Sequence, residues 1–226
     1  MLPLLLSIFS RDWKQYLYIL PAVLICLTIH ETCHGLVAYW LGDETAKEQG
    51  RLTLNPLKHL DPIGTLCMII AGVGWAKPVP IDPRRMTRLK NRKVAVSLTA
   101  LAGPVSNLLL AFVLFFVYLE LTVHGSGSFV TGLAQFLYIT AYLSVGLAAF
   151  NLLPIPPLDG SKILLPLLPD RLIRTVAKYE RYLSLVFLAV IMLGWLDKPI
   201  ELIRSAILSG IGAALSWLIG LFGGLA

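Results

Sequence analysis

The chain has 226 residues, 57% of them hydrophobic and 14% charged, with a mean hydropathy of +0.76. Soluble domains carry about 25% charged residues, so this composition excludes a water-soluble globular protein and points to an integral membrane protein built from spans of about 20 residues. The net charge of +6 sits as Lys and Arg in short connections beside apolar runs, with no basic patch interleaved with aromatics. That distribution argues against a nucleic-acid partner and makes the charge a topology signal.

In chain order, the first ten residues are apolar but too short to cross a bilayer. No small-residue cleavage site follows, so they are expected at the interface or ahead of the first span, not as a removed signal peptide. The first span is expected over Tyr16 to Leu41. A polar connection with Lys47, Arg51 and Lys58 comes next, and His59 within it is expected in solvent. The uncharged run from Pro62 to Ala76 contains Gly64, Gly72 and Gly74 and is too short for a span, so a re-entrant or β-hairpin element is expected there. Residues Lys77 to Lys93, rich in Pro and Arg, read as an exposed loop. Val94 to Leu119 is a second span, and Phe129 to Phe150 a third. The third runs into Asn151-Leu152-Leu153-Pro154-Ile155-Pro156-Pro157-Leu158-Asp159-Gly160. Its prolines cannot continue a regular helix, and broken backbone at membrane depth is tolerated only inside protein or around a wet cavity.

Two further apolar segments, Tyr182 to Leu196 and the Gly-rich Ser205 to Ala226, are expected as supporting helices. The expected fold is therefore an all-α polytopic membrane protein. It is a bundle of about five transmembrane helices with a short re-entrant or β-hairpin element between the first two core helices. One membrane-embedded domain would occupy 1–226, with a catalytic core at about 16–165 and accessory helices at about 180–226.

Loop charges orient the bundle. The connections from Leu41 to Lys93 hold ten Lys or Arg residues, the loop between the second and third spans holds none, and the stretch after the third holds Lys162, Arg171, Arg174, Lys178 and Arg181. The positive-inside rule puts both basic regions in the cytoplasm. His34 and Asp159 then lie on the same, cytoplasmic, side.

Inside the first span stands His30-Glu31-Thr32-Cys33-His34, an HExxH pattern. Shuffling this composition yields it roughly once in a thousand sequences. Two imidazoles at i and i+4 share one helical face about 6 Å apart along the axis, so both can reach one zinc ion at about 2.0–2.1 Å. Glu31 is carried beside the metal without binding it, as a general base that takes a proton from attacking water must be. A catalytic zinc takes three protein ligands and keeps one position open. Asp159 is the candidate third ligand, because it follows the broken helix and lies on the same side. Alone, an Asp-Gly pair is also an ordinary turn. Ionisable residues inside a span point to function. The three cysteines, Cys26, Cys33 and Cys67, have no metal-like spacing and read as small buried hydrophobes without a disulfide framework.

The motif His30-Glu31-Thr32-Cys33-His34-Gly35 in a first span, Gly103-Pro104-Val105-Ser106-Asn107 in a second, and Asn151 through Asp159-Gly160 after a third resemble the site-2 protease family of zinc intramembrane metalloproteases. The resemblance extends over about residues 16 to 165, including Leu54 to His59 and Trp75 to Pro80. It implies one zinc ion held by His30, His34 and Asp159, with Glu31 as catalytic acid/base. It also implies a transmembrane protein substrate and a multi-pass position in the membrane, a prokaryotic cell membrane, with the site toward the cytoplasm. Longer family members carry PDZ or CBS domains for which this chain has no room, so a minimal version is expected. Asn107 reads either as a helix-packing amide or as a donor to the scissile carbonyl and oxyanion, and the resemblance favours the second. Asn151 has the same two readings.

Two other functions fit the ionisable cluster less well. A non-enzymatic binding protein with structural zinc would want a closed four-ligand site and would leave Glu31 idle. An ion or metal transporter would be expected to show repeated halves, and no motif here recurs.

Overall fold

The computed structural model describes residues 16–64 and 76–221. Its helices are α1 (Tyr16–Trp40), α2 (Thr45–Glu48), α3 (Arg92–His124), α4 (Ser128–Asn151), α5 (Asp159–Ile163), α6 (Asp170–Met192) and α7 (Asp197–Leu221). Among the described residues there is no strand, and Leu60 and Ala76 pair as an isolated antiparallel bridge. That bridge joins the residues flanking most of the expected re-entrant or hairpin element, which falls on residues 65–75, outside those described. Among the described residues four helices, α1, α3, α4 and α7, are long and apolar enough to cross a membrane.

The bundle closes on small residues. Ala22, Gly35 and Ala38 of α1, Ala95, Ala100, Gly103 and Ala111 of α3, and Ala134, Ala141, Ala148 and Ala149 of α4 are all buried. Lipid is as apolar as the helix surfaces, so association in a membrane depends on close backbone approach and dispersion, which small side chains permit. Helix α3 begins where the Asn91 side chain accepts from the backbone N–H groups of Lys93 and Val94, satisfying two donors that a helix start leaves open. The chain reverses between α3 and α4 through Gly127, whose φ of +95° favours glycine. Helix α7 lays Ile207, Leu208 and Ile211 against Ala111 of α3 and Ala141 and Val145 of α4.

The basic stretch 77–93, expected as an exposed loop, is docked. Met86 is buried against Ala38 and Ala95, and Asp43 ties the loop to the end of α1. Asp43 Oδ2 accepts the Asp82 N–H at 2.6 Å, and its Oδ1 accepts the Thr45 N–H at 3.0 Å. Arg85 and Glu48 close the same contact at 2.6 Å, and the guanidinium holds the Glu48 carboxyl below its ordinary value. His59 departs from its expected solvated state, being only 2% exposed. Its Nε2–H donates to the Thr53 carbonyl at 2.8 Å.

The apolar run from Tyr182 is not a separate helix. It belongs to α6, which starts at Asp170 and carries charges through its first half. Both ends of α6 meet the same end of the bundle. Asp170 pairs with Lys93 at the start of α3 at 2.7 Å, while Phe187 and Ile191 pack on Leu153 and Leu158, just past α4, and on Ile200 at the start of α7.

Candidate metal centre

The HExxH helix, α1, presents His30 and His34 to α3, and both are buried. Their Nε2 atoms stand 3.0 Å apart, and each stands 3.0 Å from Asp159 Oδ2. Donor atoms about 2.0–2.1 Å from one tetrahedral ion stand about 3.3 Å from each other, so this near-equilateral triangle has the size a zinc ion requires. The donor set also fits in kind, with two imidazoles and one carboxylate. Two imidazoles and a carboxylate that converge this closely could hold one metal ion.

Both imidazoles are fixed from behind. His34 Nδ1–H donates to the Thr99 carbonyl of α3 at 2.7 Å, which leaves the Nε2 lone pair free for a metal. His30 Nδ1 meets the Asn107 amide at 3.1 Å, while Asn107 Oδ1 is buried without a partner. A metal on His30 Nε2 requires the proton on Nδ1, and Oδ1 is the atom able to accept it. Rotating the amide by 180° would bring Oδ1 to that proton. Asn107 is fully buried, and its own carbonyl accepts from Ser144 Oγ of α4 at 2.9 Å.

Gly103 explains its place in the same helix. A Cβ there would lie 2.6 Å from His30 Nε2 and would overlap His34 Nε2, so only glycine lets α3 close over the two rings.

Asp159 arrives by a broken helix, as the prolines imply. α4 stops at Asn151, and α5 restarts with Asp159 as its first residue. Leu153 and Leu158 bury the intervening turn in the cluster formed with α6 and α7. A Cβ on Gly160 would stand 2.5 Å from the Leu152 carbonyl oxygen, so glycine permits the tight return. Ser97 Oγ of α3 donates to the Ile163 carbonyl at 2.7 Å and fixes the far end of α5.

Glu31 is half-buried and stands outside the ligand triangle. Its Oε2 accepts the Val79 N–H at 2.9 Å. The sequence offered no sign of that contact beyond the prolines on either side of Val79. Asn151 is not brought to the cluster by a hydrogen bond, since its amide donates to the Leu147 carbonyl of its own helix at 3.0 Å. Cys26 and Cys33 are free, and Cys26 Sγ donates to the Thr140 carbonyl. Cys67 lies outside the described residues.

The chain is similar to known peptidases. The model of peptidase family M50 matches residues 120–194, the stretch that carries Asp159. YwhC of Bacillus subtilis, provisionally named a zinc metalloprotease, is 45% identical over 176 residues, covering 76% of this chain and 79% of its own length. Rip2 of Mycolicibacterium smegmatis, with the same kind of name, is 31% identical over 78% of this chain and 67% of its own. No solved structure matches the chain. A relative 45% identical over 76% of this chain and 79% of its own length places the chain in peptidase family M50, the site-2 protease family of zinc metalloproteases.

Proposed function

We propose that the protein is an intramembrane endopeptidase that hydrolyses a peptide bond within or beside a transmembrane helix of its substrate. The observation that carries this reading is the position of the ligand triangle, formed wholly by residues in or directly following apolar spans. His30 stands about 21 Å along α1 from Tyr16 and about 15 Å from Trp40, at 1.5 Å rise per residue. A substrate cleaved there must present its bond below the membrane surface. The loop charges favour a site nearer the cytoplasmic face.

His30, His34 and Asp159 would hold the zinc. When bound, zinc supplies Lewis acidity, polarising a carbonyl oxygen and lowering the pKa of water to about 7. Asn107 and the Thr99 carbonyl keep the two imidazoles in the ligating tautomer. Glu31 takes the proton of the attacking water on Oε1, since Oε2 is engaged by Val79, and returns it to the leaving amine. The amide role expected for Asn107 at the oxyanion competes with its contact to His30, and the buried side chain favours the contact.

A helical substrate hides its scissile amide in i to i−4 hydrogen bonds, so it must unwind locally before attack. The stretch from Pro62 to Pro80 is proposed to offer a strand edge to the unwound peptide. In its described part, Lys77 N–H is bonded to the His59 carbonyl, Val79 N–H to Glu31, and the Lys77 and Pro78 carbonyls to Arg51. Those groups are therefore already engaged within the protein. Purified Glu31→Gln with zinc retained, assayed on a transmembrane peptide in detergent or vesicles, is expected to lose cleavage. Cleavage at the wild-type rate would overturn the reading.

A further inference from the structure

Glu31 is held by a segment with little freedom of its own. Pro78 and Pro80 have fixed φ and no N–H, which leaves Val79 to supply the single N–H between Lys77 and Ile81. That N–H is the one on Glu31 Oε2. The Val79 side chain is buried against α1 one turn further on, where a Cβ on Gly35 would stand 3.1 Å from Val79 Cγ1. Behind the segment lies Arg51, a guanidinium only 8% exposed. Its Nη2 donates to the Lys77 carbonyl at 2.8 Å and the Pro78 carbonyl at 3.3 Å, and its Nε has no partner. Among the described residues no carboxylate is paired with Arg51. A buried cation whose recorded partners are two carbonyls of one segment is costly, which suits a residue kept for placing that segment.

We propose that Arg51 is a positioning residue for the general base: it clamps Lys77 to Pro80 as a rigid strap, whose Val79 N–H fixes the rotamer of Glu31. The inference rests on Glu31 acting as the base. The strap leaves one carboxylate oxygen engaged and the other turned to the reacting water. Without the clamp, Glu31 gains side-chain freedom while the ligand triangle, which Arg51 does not touch, stays intact.

The test compares Arg51→Ala, Arg51→Lys and Val79→Pro on one transmembrane peptide substrate, with zinc content measured on each. Expected for Arg51→Ala is a fall in kcat of tenfold or more, with KM and zinc stoichiometry within twofold of wild type. Arg51→Lys, which keeps a donor to the carbonyls, recovers part of the rate. Val79→Pro removes the N–H together with the Val79 methyls packed at Gly35 and gives the same signature if Arg51→Ala does not fold, while Val79→Ala, which loses the methyls but keeps the N–H, should hold kcat near wild type. Unchanged kcat in both loss variants, a rise in KM alone, or loss of zinc would each overturn the proposal. Glu31→Gln is run in parallel: if it still cleaves, the base assignment fails, whereas a dead Glu31→Gln beside unaffected Arg51 and Val79 variants removes the strap alone.

Helix α6 supports a second proposal independently. Arg171, Arg174, Lys178 and Arg181 recur at spacings of three and four, as do Leu172, Val176, Tyr179, Leu183 and Val186. The two stripes lie about 140° apart at 3.6 residues per turn. Leu172, Val176, Tyr179 and Val186 are exposed, yet both ends of the helix are fixed to one end of the bundle. We infer that α6 lies along the membrane interface with its apolar stripe in the acyl region and its basic stripe on anionic lipid headgroups, an arrangement that basic amphipathic helices favour. In vesicles containing phosphatidylglycerol, a fluorophore on Val176→Cys is expected to be quenched by brominated lipid, and one on Lys178→Cys by aqueous iodide. The combined R171Q/R174Q/K178Q/R181Q variant should retain at least threefold less phosphatidylglycerol on purification. Iodide quenching at both positions, or unchanged lipid retention, would overturn the assignment.

Discussion

At the scale of single residues, the ligand triangle depends on side chains that never touch zinc. Asn107 is the clearest case. If its role is to accept the His30 Nδ1 proton, Asn107→Ala should weaken zinc binding by about 10- to 100-fold, the usual effect of losing such a partner. Asn107→Asp keeps an acceptor there and should stay within a few-fold of wild type. Competition with a chelating dye reads both outcomes without relying on cleavage. Gly103→Ala should behave differently, because its new Cβ meets both imidazoles. The expected result is loss of stoichiometric zinc with helical content preserved, measured by metal analysis and circular dichroism. The two histidines, Glu31 and Asp159 were legible as a constellation because HExxH is rare by chance and ionisable groups stand out in apolar spans. The Thr99 carbonyl was not legible, since backbone acceptors carry no side-chain signature. Arg51 was hidden among nine other basic residues of the same connections, with nothing local to separate a buried guanidinium from its solvated neighbours.

At the scale of elements, the three core spans follow from the apolar runs to within a few residues, because charge at either end marks where the bilayer stops. The later helices did not. α6 joins a charged half to an apolar one, so a search for uncharged runs found its second half alone. The tie at its start is electrostatic, with Lys93 holding the Asp170 carboxyl below its ordinary value. A depressed carboxyl contributes stability that is present above its unfolded pKa and disappears as pH falls through the folded one. The α6 terminus should therefore stay docked at neutral pH and loosen below about pH 4, the ordinary range of an aspartate. Asp170→Asn should abolish that transition. Hydrogen exchange across 168–175 as a function of pH reads the effect locally, where a global melt would blur it.

At the scale of the whole molecule, zinc should act as a clasp between the first span and the turn after the third. A ligand that binds only the folded state stabilises it by about 2.7 kcal/mol at one hundred times its Kd. Treatment with a strong chelator should lower the apparent Tm and abolish cleavage together, and zinc should restore both. A Tm indifferent to chelation would mean that the bundle closes the triangle unaided.

Asp159 also stands far from the motif in order of synthesis, 129 positions after His30. A ribosome making this chain inserts the first span with its two imidazoles and Glu31 long before the third span and its broken end emerge. Until then the nascent protein has a base and two thirds of a metal site but no completed centre. If Asp159 is the third ligand, the metal site would be complete only after the third span has folded back against the first.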